Sequence, residues 1–253
     1  MNRISGLHTE DYYSRIASGK KLQKAADGAA QLAISQKENA QIRGYKAGTR
    51  NAEDGLSALK VADGAAGGIA DQLQRMRELA LQASNSAVVS DDERKMMQQE
   101  VEQLKQGISD IAKNTEFNTK KLLDGSNQDM YIASGANGEG QTIDTGNATL
   151  EALGIADFDL TGNFSVETID NALKQISGTR SSIGAQSNAL DATIAYNRTA
   201  TYNLTNAVSR IEDTDIEKTV IELNKRRTLE TARFMMQNKQ KEQNERQLRM
   251  FYM

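Results

Sequence analysis

Few side chains in this sequence are of types that do chemistry, and their spacing sorts them quickly. The run Gly135-Ala136-Asn137-Gly138-Glu139-Gly140 has the composition of a phosphate-cradling loop, but no Lys-Ser/Thr pair follows it and no helical pattern opens there. Such a loop lacks both the cation and the helix N-terminus that phosphate needs, so a hairpin turn is the better reading. The acidic pairs Asp91-Asp92 and Asp213/Asp215 are of the kind that binds a metal or moves a proton, yet both fall at the ends of helical patterns, where dipole stabilisation explains a negative charge. The single histidine, His8, sits among polar residues near the chain start and reads as a solvated side chain rather than a general base. With no cysteine there is no disulfide, thiolate zinc site or cysteine nucleophile. Four Asn-x-Ser/Thr triplets begin at Asn147, Asn163, Asn197 and Asn203, and a chain this rich in Asn, Ser and Thr produces several by chance. The expectation is a protein with no cofactor and no metal that is not an enzyme.

Composition points to the kind of scaffold instead. Proline is absent, where average usage would supply about a dozen, and a chain without it suits long uninterrupted helices. Aromatic residues at 5% are too few for a large ligand pocket. Lys plus Arg (31) against Asp plus Glu (34) leaves a net charge of -3, so nucleic acid is not an expected partner. No apolar run approaches the ~18 residues of a membrane span and the start lacks a signal peptide's apolar segment, so no membrane association is expected either.

The elements follow from periodicity. A 4,3 coiled-coil seam runs through Ile169, Leu173, Ile176, Arg180, Ile183, Ser187, Leu190, Ile194, Asn197, Thr201, Leu204, Val208 and Ile211. It predicts one helix of about 45 residues, roughly 65 Å long, in which Arg180, Ser187, Asn197 and Thr201 weaken the seam and help to set its register. A shorter seam, Met97, Val101, Leu104, Ile108 and Ile111, starts behind a capping box at Ser90-Asp91-Asp92-Glu93. A second long helix runs from Ile42 through Tyr45, Thr49, Ala52, Leu56, Leu59, Ile69, Leu73 and Met76, then drifts in register to Ala80 and Ala83. Gly44, Gly48, Gly55, Gly64, Gly67 and Gly68 lie inside it and suggest close packing against a neighbouring helix. Between about 123 and 165 the periodicity stops, glycine turns appear, and Met130-Tyr131-Ile132 and Phe158-Asp159-Leu160 look like strands. The predicted fold is mainly α: a long antiparallel coiled-coil helical rod with a small β-hairpin region, its N- and C-termini paired. A rod of this kind exposes much side area and is expected to bind other rods.

One stretch has a patterned polar face. In Leu73-Gln74-Arg75-Met76-Arg77-Glu78-Leu79-Ala80-Leu81-Gln82, helical spacing puts Arg75, Glu78 and Gln82 on one stripe beside Leu79. With its continuation, LQRMRELALQASN (73 to 85), that segment resembles bacterial flagellin, as do SGKKLQKAADGAAQLAIS (18 to 35), RNAEDGLSALKVADGA (50 to 65), TEFNTKKLLDG (115 to 125), GANGEGQTI (135 to 143) and SRIEDTD (209 to 215). The segments are in the family's order over nearly the whole chain, and the variable outer domains are missing, as in a short form. The resemblance implies residues 1–28 as the N-terminal part of an inner coiled-coil domain, 29–213 as a helical rod domain with the β-hairpin region, and 214–253 as the C-terminal part of the inner domain. It implies a secreted subunit that is exported through the flagellar channel and self-assembles as a homopolymer in the extracellular filament. The partners implied are an export chaperone, cap and junction proteins, and a host Toll-like receptor. For the subunit and receptor contact it implies Leu73, Gln74, Arg75, Leu79 and Glu100, to which the stripe adds Glu78 and Gln82.

Two departures from the family pattern qualify the expectation. The chain reaches Ser18-Gly19 after 17 residues, where some 25 to 30 are usual in the family, and Gln237 to Gln247 has no apolar residue before the close on Leu248, Met250, Phe251, Tyr252 and Met253. A frayed, partly solvated terminal domain and weakened polymerisation are expected from this, since burying that run costs too much unless its charges pair. The alternatives are a flagellin-like binding module that polymerises poorly and a hook-filament junction protein.

Overall fold

A computed structural model describes residues 3–85, 89–126 and 129–251, with side chains from Glu10 to Gln247 among them. The expectations for His8 and for the closing apolar cluster from Leu248 on concern side chains outside that set. The elements are helices α1 (Arg3–Ser18), α2 (Ala25–Ala83) and α3 (Asp91–Asn114), strands β1 (Glu116–Phe117), β2 (Lys120–Lys121), β3 (Met130–Ala133) and β4 (Gly140–Ile143), and helices α4 (Val166–Glu212) and α5 (Ile216–Phe251). The mainly α class with small antiparallel strand pairs is as the sequence predicts. Two compact units divide the chain, Met1–Ala40 with Tyr202–Met253, and Gln41–Thr201.

The 41–201 unit is built on a heptad face of α2. Ala52, Leu59, Ala62, Ala66, Ile69, Leu73, Met76, Ala80 and Ala83 are all buried, and from Leu59 on their spacing alternates 3 and 4 without the drift expected from the sequence. Against it lie Ile169, Ala172, Ile176, Ile183, Leu190 and Ile194 of α4 and Val101, Ile108 and Ala112 of α3. The face of α3 is rotated from the predicted seam: Met97, Leu104 and Ile111 are only partly buried, while Lys105 turns inward. Its aliphatic stem packs and its ammonium finds Glu102 Oε1 at 3.1 Å and the Phe158 carbonyl at 3.4 Å.

The non-helical part begins earlier than predicted and is more packed. β1 and β2 form a hairpin whose two turn residues, Asn118 (φ 48) and Thr119 (φ 66), are both left-handed, as a two-residue turn that follows strand twist demands. β3 and β4 pair antiparallel from Met130↔Ile143 to Ala133↔Gly140, so the Gly135–Gly140 run is indeed a hairpin loop. The predicted strand at Phe158–Leu160 is instead a series of turns. Leu160 is fully buried, its N–H donates to Gln98 Oε1 at 2.8 Å, and Phe158 meets Phe164 edge-on at 6.0 Å. Side-chain burial, rather than strand pairing, sets the conformation there.

The glycines of α2 separate into two kinds. A Cβ at Gly44 or Gly48 would run into the carbonyl oxygens of Ala136 and Ser134, so the hairpin loop's backbone, not a neighbouring helix, rests on α2 there. At Gly64 nothing approaches within 4 Å. Asn197, predicted to set register in the seam, is buried and donates to the Ser134 carbonyl at 2.7 Å; it holds the same hairpin.

In the other unit, α1 packs on α5, and Tyr12 and Tyr13 of α1 lie under the guanidinium groups of Arg226 and Arg227 at 5.2 and 5.3 Å. The described apolar core is Leu22, Val208 and Leu223. Residues 237–247 continue α5 as helix rather than fraying, and every one of them is exposed.

Candidate interaction face

The LQRMREL segment forms the last turns of α2, and its heptad assigns each side chain. Leu73, Met76, Leu79, Ala80 and Ala83 are in the core, which leaves Gln74, Arg75, Glu78, Leu81 and Gln82 exposed. Leu73 and Leu79 therefore offer no surface in the isolated chain; they anchor the turn that carries the others. Leu81 at 49% exposure and Met96 at 61% on α3 are apolar groups of the surface that the sequence reading did not select. Their signal was an apolar residue at a heptad position facing away from the seam.

Glu100 reaches this face because α3 begins where it does. Ser90 accepts from the Glu93 N–H while the Glu93 carboxylate takes the Ser90 N–H at 2.7 Å, a closed capping box. Asp91, Asp92 and Glu93 occupy the first turn, so that acidic cluster serves the helix dipole. The Ser90 backbone N–H and then its hydroxyl hold the Glu93 carboxyl below its ordinary value. Asp215 plays the matching part for α5, accepting from the Lys218 N–H at 3.0 Å.

From there Arg75 links the two helices. Its Nε donates to Glu100 Oε1 at 2.7 Å and its Nη1 to Glu78 Oε2 at 2.9 Å. Hydrogen bonding to Glu100, then to Glu78, holds the guanidinium above its ordinary value. Two residues on, Arg77 Nε donates to Asp170 Oδ1 at 2.6 Å and ties α2 to α4 instead. The structure thus brings Arg75, Glu78 and Glu100 together, with Gln74 and Gln82 exposed on the same helix. It is an ordered polar surface with no chemistry of its own, and among the described residues no three His, Cys, Asp or Glu side chains gather as metal ligands.

The model of the bacterial flagellin N-terminal helical region matches residues 3–128, and that of the C-terminal helical region matches 166–247. A flagellin of Halalkalibacterium halodurans is 39% identical over 225 residues, spanning 86% of this chain and 82% of the relative. The chain belongs to the flagellin family. The flagellin of Bacillus subtilis is 32% identical over 272 residues, covering 92% of this chain and 90% of its own, and a flagellar filament 31.3 kDa core protein of Treponema maltophilum is 33% identical over 91% of this chain and 89% of its own. The crystal structure of Bacillus cereus flagellin superposes with a TM-score of 0.51 at 31% identity, over 58% of this chain and 88% of that one. As a flagellin it is a structural subunit of the extracellular flagellar filament, not an enzyme. No helix among the described residues is long and apolar enough to cross a membrane.

Proposed function

We propose that this flagellin builds the filament by homopolymerisation through its terminal helices, with the Arg75 face as a second contact. The observation that carries the reading is the surface of α5. Ile221, Phe234, Met235 and Met236 are exposed by 67%, 64%, 65% and 71%, and Leu223 is the one buried apolar side chain described on that helix. Apolar groups left open in such number mark a surface made for a partner, and in a filament subunit the partner at hand is another copy. Residues 1–28 and 214–253 act here as the two halves of the assembling inner domain, and 29–213 as the domain that carries the Arg75 face. Export through the flagellar channel with a chaperone, and contact with cap and junction proteins, belong to the same reading.

Seeded assembly tests it: purified monomer is salted out with short filament fragments, sedimented and viewed by negative-stain electron microscopy. Wild type forms filaments, while Ile221→Ser with Phe234→Ser raises the soluble fraction several-fold and leaves the monomer's circular dichroism unchanged. Persistent wild-type monomer with an intact helical spectrum would favour a binding module instead. The polar run 237–247 is expected in a filament map to lie at a solvated surface or in paired charges, not in an apolar layer.

A second reading concerns the host. Arg75 holds Glu78 and Glu100 beside the exposed Gln74 and Gln82, residues of the kind a Toll-like receptor engages in many flagellins. Binding of the monomer to the receptor ectodomain, compared with Arg75→Ala, tests it; equal affinities would remove the receptor from the partners.

A further inference from the structure

Glu212 is the only buried carboxylate among the described residues, with its side chain 7% exposed at the last turn of α4. Nothing in the heptad pattern requires a carboxylate there. Three donors from two other segments converge on it: Lys20 Nζ at 2.6 Å on Oε2, and Asn39 Nδ2 at 2.9 Å and the buried Ser35 hydroxyl on Oε1. Lys20 belongs to the link between α1 and α2, while Ser35 and Asn39 belong to α2. A carboxylate has about four lone-pair sites, so three charge-assisted bonds nearly saturate it.

The backbone around it closes the same junction. The Lys21 N–H donates to the Glu212 carbonyl at 2.7 Å and the Thr214 N–H to the Gly19 carbonyl at 2.9 Å, with Lys20 and Asp213 as an antiparallel bridge between them. Lys21 Nζ also caps the Arg210 carbonyl at 2.9 Å. The two chain reversals, α1 to α2 and α4 to α5, are therefore locked side by side. Gly19, at φ 68, supplies one reversal. The other, Asp213-Thr214-Asp215, holds neither glycine nor proline; its local signal is Asp215, which caps the start of α5.

We propose that Glu212 is the positioning residue of the terminal helix pair: its ionised carboxylate locks the two reversals together and thereby sets the pairing of α1 with α5. For assembly this rests on the homopolymer reading above; the lock itself does not, and it is tested on the monomer. Lys20 is the one charged group facing Glu212 from the α1–α2 link, α2 contributes the neutral Ser35 and Asn39, and on its own strand of chain Arg210 and Asp213 flank it. Lys20, then Ser35, hold the carboxyl below its ordinary value. The lock is therefore complete above the ordinary glutamate range and opens as pH falls through the lowered value.

Tyr12 and Tyr13, each under an α5 arginine, report the pairing, and Tyr45 and Tyr196, in edge contact at 6.1 Å, report the other unit. In monomer labelled with 3-fluorotyrosine, Glu212→Gln at neutral pH is expected to move the fluorine signals of Tyr12 and Tyr13 to the positions wild type reaches only in acid. Tyr45 and Tyr196 stay put, and the amides of α1 and α5 exchange about tenfold faster or more. Unchanged Tyr12 and Tyr13 signals in the variant would overturn the proposal, as would equal movement of all four tyrosines, which would mean general destabilisation. If Glu212→Gln does not fold, Ser35→Ala, which removes one neutral donor, must shift the acid midpoint of the Tyr12 and Tyr13 signals upward; an unmoved midpoint would overturn it too. Wild type that shows the acid-linked signals but never polymerises would defeat the homopolymer reading and leave the lock standing.

Discussion

Arg75 and Arg77 stand two residues apart on α2 and do different work. Arg77 is aimed at Asp170 and joins helices of the core unit, whereas Arg75 holds Glu100 and Glu78 at the surface. Exposed ion pairs contribute little to stability, so Arg75→Ala is expected to leave the thermal midpoint nearly unchanged while it weakens assembly or receptor binding. A midpoint drop as large as the binding loss would make Arg75 structural. The Arg75–Glu78 pair was legible from i,i+3 spacing; Glu100 lies on another helix, and only the family resemblance pointed to it. The burial of Leu73 was present in the heptad, yet it was grouped with the surface residues, whereas Leu79 lies beside the seam and its burial was not legible there. Thr119 is a second informative residue, because a β-branched side chain at φ 66 is strained. Thr119→Gly should raise unfolding stability by about 1 kcal/mol in urea titration.

At the scale of elements, the glycines of α2 make opposing predictions. Helix propensity alone says that Gly→Ala stabilises by up to about 1 kcal/mol. Gly64→Ala should do so, since nothing lies within 4 Å. Gly48→Ala should instead destabilise by about 1–3 kcal/mol, because its Cβ meets the Ser134 carbonyl of the hairpin loop. Equal signs in a urea comparison would mean that the hairpin does not rest on α2. Asn197→Leu removes the donor to that same buried carbonyl and should cost about 1–3 kcal/mol. Helices α2, α3 and α4 were readable because each buries a stripe of period 3.5, whereas on α5 Leu223 is the one buried apolar side chain described. The hairpin's seat was not, since small residues in a helix announce a close approach without saying what approaches.

Over the whole molecule, acid sensitivity has a definite sign. Backbone N–H groups of Lys24 and Gln23 lower the Asp27 carboxyl, the Ser126 hydroxyl and N–H lower Asp124, the Thr161 N–H lowers Asp159, and Lys20 lowers Glu212. All four release their protons more readily folded than unfolded. Their stabilisation is complete above the ordinary carboxylate range and is lost as pH falls through the lowered values. The thermal midpoint should be flat near neutrality and fall steeply below about pH 4; a midpoint that rises on acidification would contradict the network of carboxylate bonds.

What the sequence by itself determined is what depends on neighbours along the chain. The absence of proline, the 3,4 spacing from Leu59 to Ala83 and from Ile169 to Ile194, and the Ser90 capping box dictate long helices and where α3 starts. Six motif segments in order also carried the family. Tertiary structure alone decided which polar side chains off the seam turn inward and what meets them. Lys105 and Glu212 sit at positions whose own residue type argues for solvent, and each is buried because a carbonyl or cation from a segment far off in sequence meets it there; the spacing placed Asn197 in the seam, but not the Ser134 carbonyl it meets. The same holds for Phe158–Leu160, strand-like in composition but drawn into turns by a core that needed its side chains more than its backbone pairing. Local spacing encodes periodicity, but satisfaction of a buried polar group is a long-range condition that no window of sequence contains.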